Sequence, residues 1–145
     1  MKRQSGPRRA YLDANVIIRF VENEDPGLQF LFEQATIGKW DLVTSEMTLA
    51  EVLVTPLRER DDRLSTIYDD LLSGHEELEI VPVSRAVLRR SAEIRALLGN
   101  KGVDAIHIAT AIEANCSAFV SSDLRLRLPN TGEPLLVNPY CRLPT

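Results

Sequence analysis

The stretch RAYLDANVII, residues 9–18, decides the fold of this chain. Its first four residues predict a short buried strand, and Val16, Ile17 and Phe20 then recur at the spacing of a helix. Asp13 lies at the junction between the two elements. A carboxylate in such apolar surroundings is rarely buried unless its charge is compensated. The stretch therefore predicts a strand, an acid with a chemical role, and a helix, in that order.

The rest of the chain continues this alternation of short apolar strands and helices. Further strands are predicted at 42–44, 78–83, 118–120 and 134–137, and helices at about 28–37, 46–55, 61–72, 84–98 and 103–114. Pro56 should end or kink the helix that Ser45 begins, and Ser84 should cap a long helix. Strands that alternate with helices are typical of a parallel sheet covered on both faces. We therefore predict an α/β fold of three layers, α/β/α, with a short parallel sheet of four or five strands.

Size and composition predict one ordinary globular domain. The chain has 145 residues and a formal net charge of −4, and no linker or repeat divides it. Residues 1–8 are basic and are expected to form a disordered arm, whereas residues 9–145 form the domain. No apolar run reaches the length of a membrane span, and the two cysteines lack metal-binding spacing. These features favour a cytoplasmic protein that does not contact a membrane.

Three further acids lie among small or apolar neighbours, as Asp13 does. Glu51 falls early in one predicted helix, Asp104 in the first turn of another, and Asp123 just after a strand. Asp13 and Asp123 thus follow strand ends, where open α/β sheets form ligand sites. Carboxylates brought to about 4 Å repel by about 4 kcal/mol per pair at an effective dielectric near 20. Protons or cations must compensate this repulsion.

The type of donor in this group of acids indicates which cation could bind. Four oxygen donors without thiolate or histidine suit Mg²⁺ or Mn²⁺ better than Zn²⁺. An aspartic protease or a glycosidase would need only two carboxyl groups. Ions of this kind activate water and stabilise the leaving oxygen in phosphoryl transfer. The residues therefore predict hydrolysis of a phosphodiester.

Four segments of the chain resemble the sequence blocks of PIN-domain ribonucleases, in the same order. They are YLDANVII (11–18), TSEMTLAEVL (44–53), GVDAIHIATA (102–111) and FVSSDLRL (119–126). The resemblance extends over about residues 9–137. The short single-domain form is most similar to the VapC-type toxins of bacterial toxin–antitoxin pairs. This resemblance implies a PIN-like fold and cleavage of RNA that leaves a 5′-phosphate and a 3′-hydroxyl.

The resemblance also implies roles for individual residues and partners for the protein. It implies a catalytic, metal-binding quartet and three supporting polar residues; the quartet is Asp13, Glu51, Asp104 and Asp123, and the supporting residues are Asn15, Ser45 and Ser121. Asp13 and Asp104 would be direct ligands of Mg²⁺ or Mn²⁺. Relatives often carry another acid or an aromatic residue after the fourth acid, whereas Leu124 and Arg125 follow here, so we expect one firm metal site. A homodimer and a small antitoxin whose tail covers the acidic groove are further implications.

Other interpretations of these residues stay open from the sequence. The chain could be a free-standing PIN-domain nuclease for RNA processing, or a catalytically dead module that binds a partner. A phosphatase of the haloacid-dehalogenase type needs a second Asp where this chain has Asn15. His107 follows Asp104 by three residues on the same helical face, but it is interpreted as a packed, hydrogen-bonded histidine. Ser45 could act only as a helix cap.

Overall fold

The structure, a computed structural model, describes residues 8–75, 77–123, 126, 128 and 136–137. Within them the strands are β1 (Arg8–Leu12), β2 (Trp40–Ser45), β3 (Leu78–Val81), β4 (Ala118–Val120) and β5 (Leu136–Val137). The helices are α1 (Ala14–Glu22), α2 (Pro26–Thr36), α3 (Glu46–Val52), α4 (Val54–Arg58), α5 (Asp62–Leu71), α6 (Arg85–Leu98) and α7 (Gly102–Glu113).

The five strands form one sheet in the order β3-β2-β1-β4-β5, and every pairing is parallel. β1 lies in the middle, where Ala10 pairs with Leu42 on one side and with Ala118 on the other. The chain passes from β1 to β2 in one direction and later returns to β4 on the opposite side. The carboxyl ends of β1 and β4 therefore flank a switch point of the sheet, which is the usual place for a ligand site.

The side chains of β1 alternate between the two faces of the sheet. Ala10 and Leu12 pack in a core with residues of α1, α2, α3 and α5. Tyr11 points to the other face, where α6 and α7 supply the core. The predicted three-layer α/β/α fold with a parallel sheet is confirmed.

Proline and capping residues set the ends of several elements. The helix predicted to carry Val54 is split, because α3 ends at Val52 and α4 begins at Val54. Pro56 has no N–H to offer the carbonyl of Val52, so the hydrogen-bond pattern of α3 is not continued into α4. The prediction for Ser84 is confirmed, since its Oγ accepts a hydrogen bond from Val87 N–H at 3.2 Å. β3 ends one residue before Pro82 and is thus shorter than predicted.

Several minor predictions can be compared with the described residues. β1 begins at Arg8, which the sequence assigned to the basic arm, and residues 1–7 lie outside the described part. Cys116 is buried, and burial raises the pKa of its thiol to about 12, as suits a core residue. Cys141 and Pro134 also fall outside the described part. Across the residues that the structure describes, no helix combines the length and apolar character needed to span a membrane.

Candidate active site

Asp13 is held where β1 ends and α1 begins. Its backbone N–H donates to the carbonyl of Val120 at 3.0 Å, which extends the contact between β1 and β4. Its Oδ1 accepts a hydrogen bond from Ala14 N–H at 2.9 Å, so Asp13 is the N-cap of α1. The residue is only 6% exposed. The positive end of the helix dipole favours a carboxylate in this position.

The other carboxylate oxygen of Asp13 joins it to the loop after β4. Ser121 Oγ donates to Oδ2 at 2.9 Å, and Asn15 Nδ2 donates to the same oxygen at 3.2 Å. Asn15 Oδ1 in turn accepts from Ser122 N–H at 3.2 Å, and Ser121 Oγ accepts from Asp123 N–H at 3.0 Å. Two predicted supporting residues thus connect Asp13 with the segment that carries Asp123.

Glu51 is connected to the same place through a histidine. His107, from α7, is 1% exposed and lies with Nε2 at 2.5 Å from Glu51 Oε1 and 3.8 Å from Asp13 Oδ1. Its Nδ1 lies 2.5 Å from the hydroxyl of Tyr11. The histidine is packed and hydrogen-bonded, as its sequence interpretation expected. Its partners, however, include two members of the predicted quartet.

Asp104 lies half-buried in the first turn of α7 and is affected by all three other acids. Burial raises the pKa of Asp104 most, and the charges of Asp13, Asp123 and Glu51 raise it further, whereas His107 lowers it. Each of these charges must be near enough to act on the same carboxyl group. The charges of the other three acids thus act on Asp104, in addition to its burial.

Ser45 contributes to the site through the helix that carries Glu51. Its Oγ accepts a hydrogen bond from Met47 N–H at 2.9 Å, which makes Ser45 the N-cap of α3. The cap fixes the start of the helix that carries Glu51. Thr44 and Thr48, which the sequence interpretation did not single out, also help to fix the start of α3. Thr44 Oγ1 bonds both the carbonyl of Leu12, at 2.8 Å, and Thr48 Oγ1, at 2.7 Å.

The described residues of this site match a divalent cation in their donor chemistry but are not arranged around one. Over the described residues, no group of three or more Asp, Glu, His or Cys side chains is arranged to hold a metal ion. The donor chemistry does fit, because carboxylate oxygens are the ligands that Mg²⁺ and Mn²⁺ prefer. Burial, and then repulsion from the other acids, raises the pKa of Asp104, and a cation would relieve that repulsion.

Comparison with known proteins identifies the family. The family model for the PIN domain matches residues 10–130, so the chain belongs to the PIN domain family. No protein with a curated description shows significant sequence similarity to the chain.

Solved structures with the same fold come from bacterial complexes. DNA-bound VapBC from Salmonella typhimurium matches with a TM-score of 0.75 at 19% identity, over 92% of this chain and 99% of that one. VapBC2 from Rickettsia felis, bound to a promoter DNA fragment, matches with a TM-score of 0.73 at 20% identity, over 90% and 97%. A toxin–antitoxin complex from Klebsiella pneumoniae matches with a TM-score of 0.68 at 22% identity, over 90% and 98%.

Proposed function

We propose that this protein is an endoribonuclease that depends on Mg²⁺ or Mn²⁺, and that it acts as the toxin of a toxin–antitoxin module. The observation that supports this best is that His107 Nε2 lies 2.5 Å from Glu51 Oε1 and 3.8 Å from Asp13 Oδ1, which brings two of the acids to one place. Burial raises the pKa of Asp104 most, and the charges of Asp13, Asp123 and Glu51 raise it further. Membership of the PIN domain family supports a nuclease activity. The four acids come from the segment after β1, from α3, from α7 and from the segment after β4, and the charges of the other three act on Asp104.

The four acids would have different roles in holding a cation. Asp13 and Asp104 would be direct ligands, and Glu51 and Asp123 would assist directly or through water. A bound divalent cation would supply Lewis-acid stabilisation of the phosphodiester and activate water for its hydrolysis. The chain itself would fix the orientation of a ligand, because Asn15 and Ser121 hold the Asp13 carboxylate in one orientation.

The proposed partners are an antitoxin protein, an RNA substrate and a second copy of the chain. The support for an antitoxin is that the three similar structures are toxin–antitoxin or VapBC complexes. The tail of the antitoxin would lie over the acidic site, where a basic side chain would find complementary charge. The RNA and the homodimer are inferred from the resemblance to VapC-type toxins, as is a location in the cytoplasm.

A cleavage assay with labelled RNA tests the catalytic part of this proposal. Wild-type protein should cut RNA with Mg²⁺ or Mn²⁺ and should stop when a chelator is added. Asp13→Asn should lower the rate at least about 100-fold, the scale expected when one electrostatic group of an active site is lost. Asp41→Asn is the matched control, because Asp41 is exposed near the amino end of β2.

Each outcome of this assay separates the candidate functions. Equal rates for wild type and Asp13→Asn would contradict the mechanism, and no cleavage of any RNA would favour the partner-binding module. The toxin role needs a second assay, in which expression slows growth and co-expression of a small neighbouring gene restores it. Cleavage without any effect on growth would favour a free-standing RNA-processing nuclease.

A further inference from the structure

We infer that Tyr11 and His107 form a positioning relay for Glu51, in which His107 carries its proton on Nε2 and donates it to the Glu51 carboxylate. Its catalytic consequence rests on the proposed nuclease function. The hydrogen-bond arrangement itself does not.

Three elements build the relay from buried groups. Tyr11 comes from β1 and is fully buried, and His107 comes from α7 and is 1% exposed. The Tyr11 hydroxyl lies 2.5 Å from Nδ1, and Nε2 lies 2.5 Å from Glu51 Oε1 on α3. Tyr11 also stacks on Phe119 of β4, with ring centroids 5.1 Å apart. The tyrosine ring therefore has little freedom to move away from the imidazole.

The donors and acceptors of the relay determine the position of its protons. A carboxylate can only accept hydrogen bonds, so the short contact with Glu51 requires a hydrogen on Nε2. With that hydrogen on Nε2, Nδ1 is left as an acceptor 2.5 Å from the Tyr11 hydroxyl. The Tyr11 O–H can then donate to Nδ1. With the hydrogen on Nε2, Nε2–H donates to Glu51 and Nδ1 accepts from Tyr11, so neither ring nitrogen has a lone pair left for a metal ion.

The relay restricts the side chain of Glu51, which is more exposed than that of Asp13. The Glu51 side chain is 34% exposed, whereas that of Asp13 is 8% exposed and already holds hydrogen bonds at both oxygens. Without His107, the longer glutamate would be free to turn towards solvent. His107 Nε2 also lies 3.8 Å from Asp13 Oδ1, so the imidazole lies beside both acids.

Nitrogen NMR of the full-length protein in chelator tests the protonation pattern directly. The His107 ring should show the Nε2–H tautomer, with Nδ1 in a hydrogen bond. Tyr11→Phe should shift the Nδ1 signal. Tyr68→Phe is the matched control, because Tyr68 is also fully buried and donates to a glutamate, Glu22, at a distance of 2.5 Å. A proton on Nδ1 alone, a doubly protonated ring, or an Nδ1 signal unmoved by Tyr11→Phe would overturn the relay.

Kinetics and metal binding then test the effect of the relay. Tyr11→Phe should lower kcat about 10-fold and His107→Leu about 100-fold, with the KM for RNA unchanged, the range expected when groups that orient metal-site residues are lost. His107→Gln should recover part of this loss because its amide can still donate to Glu51. Binding of Mn²⁺, followed by electron paramagnetic resonance, should weaken in the same order, and Tyr68→Phe should match wild type.

The outcomes distinguish failure of the relay from failure of the proposed function. Should wild type cleave RNA while Tyr11→Phe and His107→Gln match it in both kcat and Mn²⁺ binding, the relay is wrong and the nuclease stands. Should wild type fail to cleave RNA while the NMR pattern holds and Mn²⁺ binding follows the predicted order, the nuclease is wrong and the relay stands. If His107→Leu does not fold, Tyr11→Phe and His107→Gln decide the question.

Discussion

The pKa of Asp104 depends on the charges of three other carboxylates and of one imidazole, so it is sensitive to the net charge of the site. Its pKa is raised by burial first and then by Asp13, Asp123 and Glu51. A carboxyl group whose pKa is higher in the folded protein binds its proton more tightly there than in the unfolded chain. Its contribution to stability is therefore favourable at low pH and is lost as the pH rises through the raised folded pKa.

Asp104→Asn should therefore stabilise the protein in chelator at neutral pH, because the amide removes an unfavourable negative charge. Urea unfolding of wild type and variant should show the higher midpoint for the variant at pH 7. The difference should shrink as the pH falls towards the ordinary range of an aspartate. Added Mg²⁺ should stabilise wild type more than the variant. Asp69→Asn, at an exposed position in α5, is the control, and a lower midpoint for Asp104→Asn at pH 7 would contradict this account.

The sequence predicted which elements carry the four acids, although Glu51 lies near the end of α3 and not early in its helix. It could not predict how the acids are connected. Asp13 and Asp123 follow strands, and the rule for parallel sheets brings strand ends together. The contact of His107 with Tyr11 and Glu51 depends on the rotamers of three side chains from three separate elements. The strand alternation could have indicated that Tyr11 faces a different layer from Leu12. Nothing local in the sequence indicates that α7 lies there.

At the scale of elements, caps and breaks were more predictable than lengths. Ser84 and Ser45 begin helices as expected, because a side-chain oxygen after a strand can satisfy the free N–H groups of the first turn. Pro56 interrupts its helix, but the break falls at Leu53, before the proline itself. The lost hydrogen bond belongs to the carbonyl four residues earlier, so the interruption appears upstream.

The start of α2 offers a test of such a cap. Asp25 Oδ1 accepts from Gly27 N–H at 3.0 Å and Leu28 N–H at 3.3 Å, and Oδ2 pairs with Arg19 at 2.9 Å. Asp25→Ala should cost about 1 kcal/mol of unfolding free energy, the typical value of an N-cap. Asp25→Asn keeps the cap but loses the ion pair, so it should cost less, since partly exposed pairs contribute about 0–1 kcal/mol.

The measurement is urea unfolding at two pH values. The pair with Arg19 is the main reason why the pKa of Asp25 is lowered, and its backbone hydrogen bonds lower it further. The contribution of the ionised group is therefore present at neutral pH and disappears as the pH falls through that lowered pKa. Wild type and Asp25→Asn should converge in acid. A larger loss for Asp25→Asn than for Asp25→Ala would exclude capping as the main role.

At the scale of the whole molecule, an apolar groove lies between α1, α2 and α5. Phe20 and Phe32 stack at its base with ring centroids 3.8 Å apart, and Ile67 and Leu71 line it from α5. Its lining also includes two acids, Glu24 and Glu33. An apolar segment with nearby basic residues would complement this surface, and the antitoxin of the proposed function is the occupant that the following experiment tests.

Ile67→Arg should weaken binding of that antitoxin. Ile67 is 40% exposed in the groove, so a charged side chain there should disturb the complex more than the fold. The expected loss of affinity is at least about 10-fold, the scale of truncating one important interface residue. Calorimetry with the purified neighbouring-gene product measures it. Leu97→Arg, on α6 across the sheet, should bind normally, and equal affinity of Ile67→Arg and wild type would exclude the groove.

The pairing of β1 with β4 joins residues that are synthesised at different times. The serine that bonds Asp13 lies 108 residues further along the chain. A growing polypeptide on the ribosome therefore presents Asp13 and Glu51 long before Ser121 and Asp123 exist to complete the cluster. Under the proposed toxin function, this order of synthesis would delay cleavage of RNA until translation has passed β4, which would leave time for the antitoxin to bind.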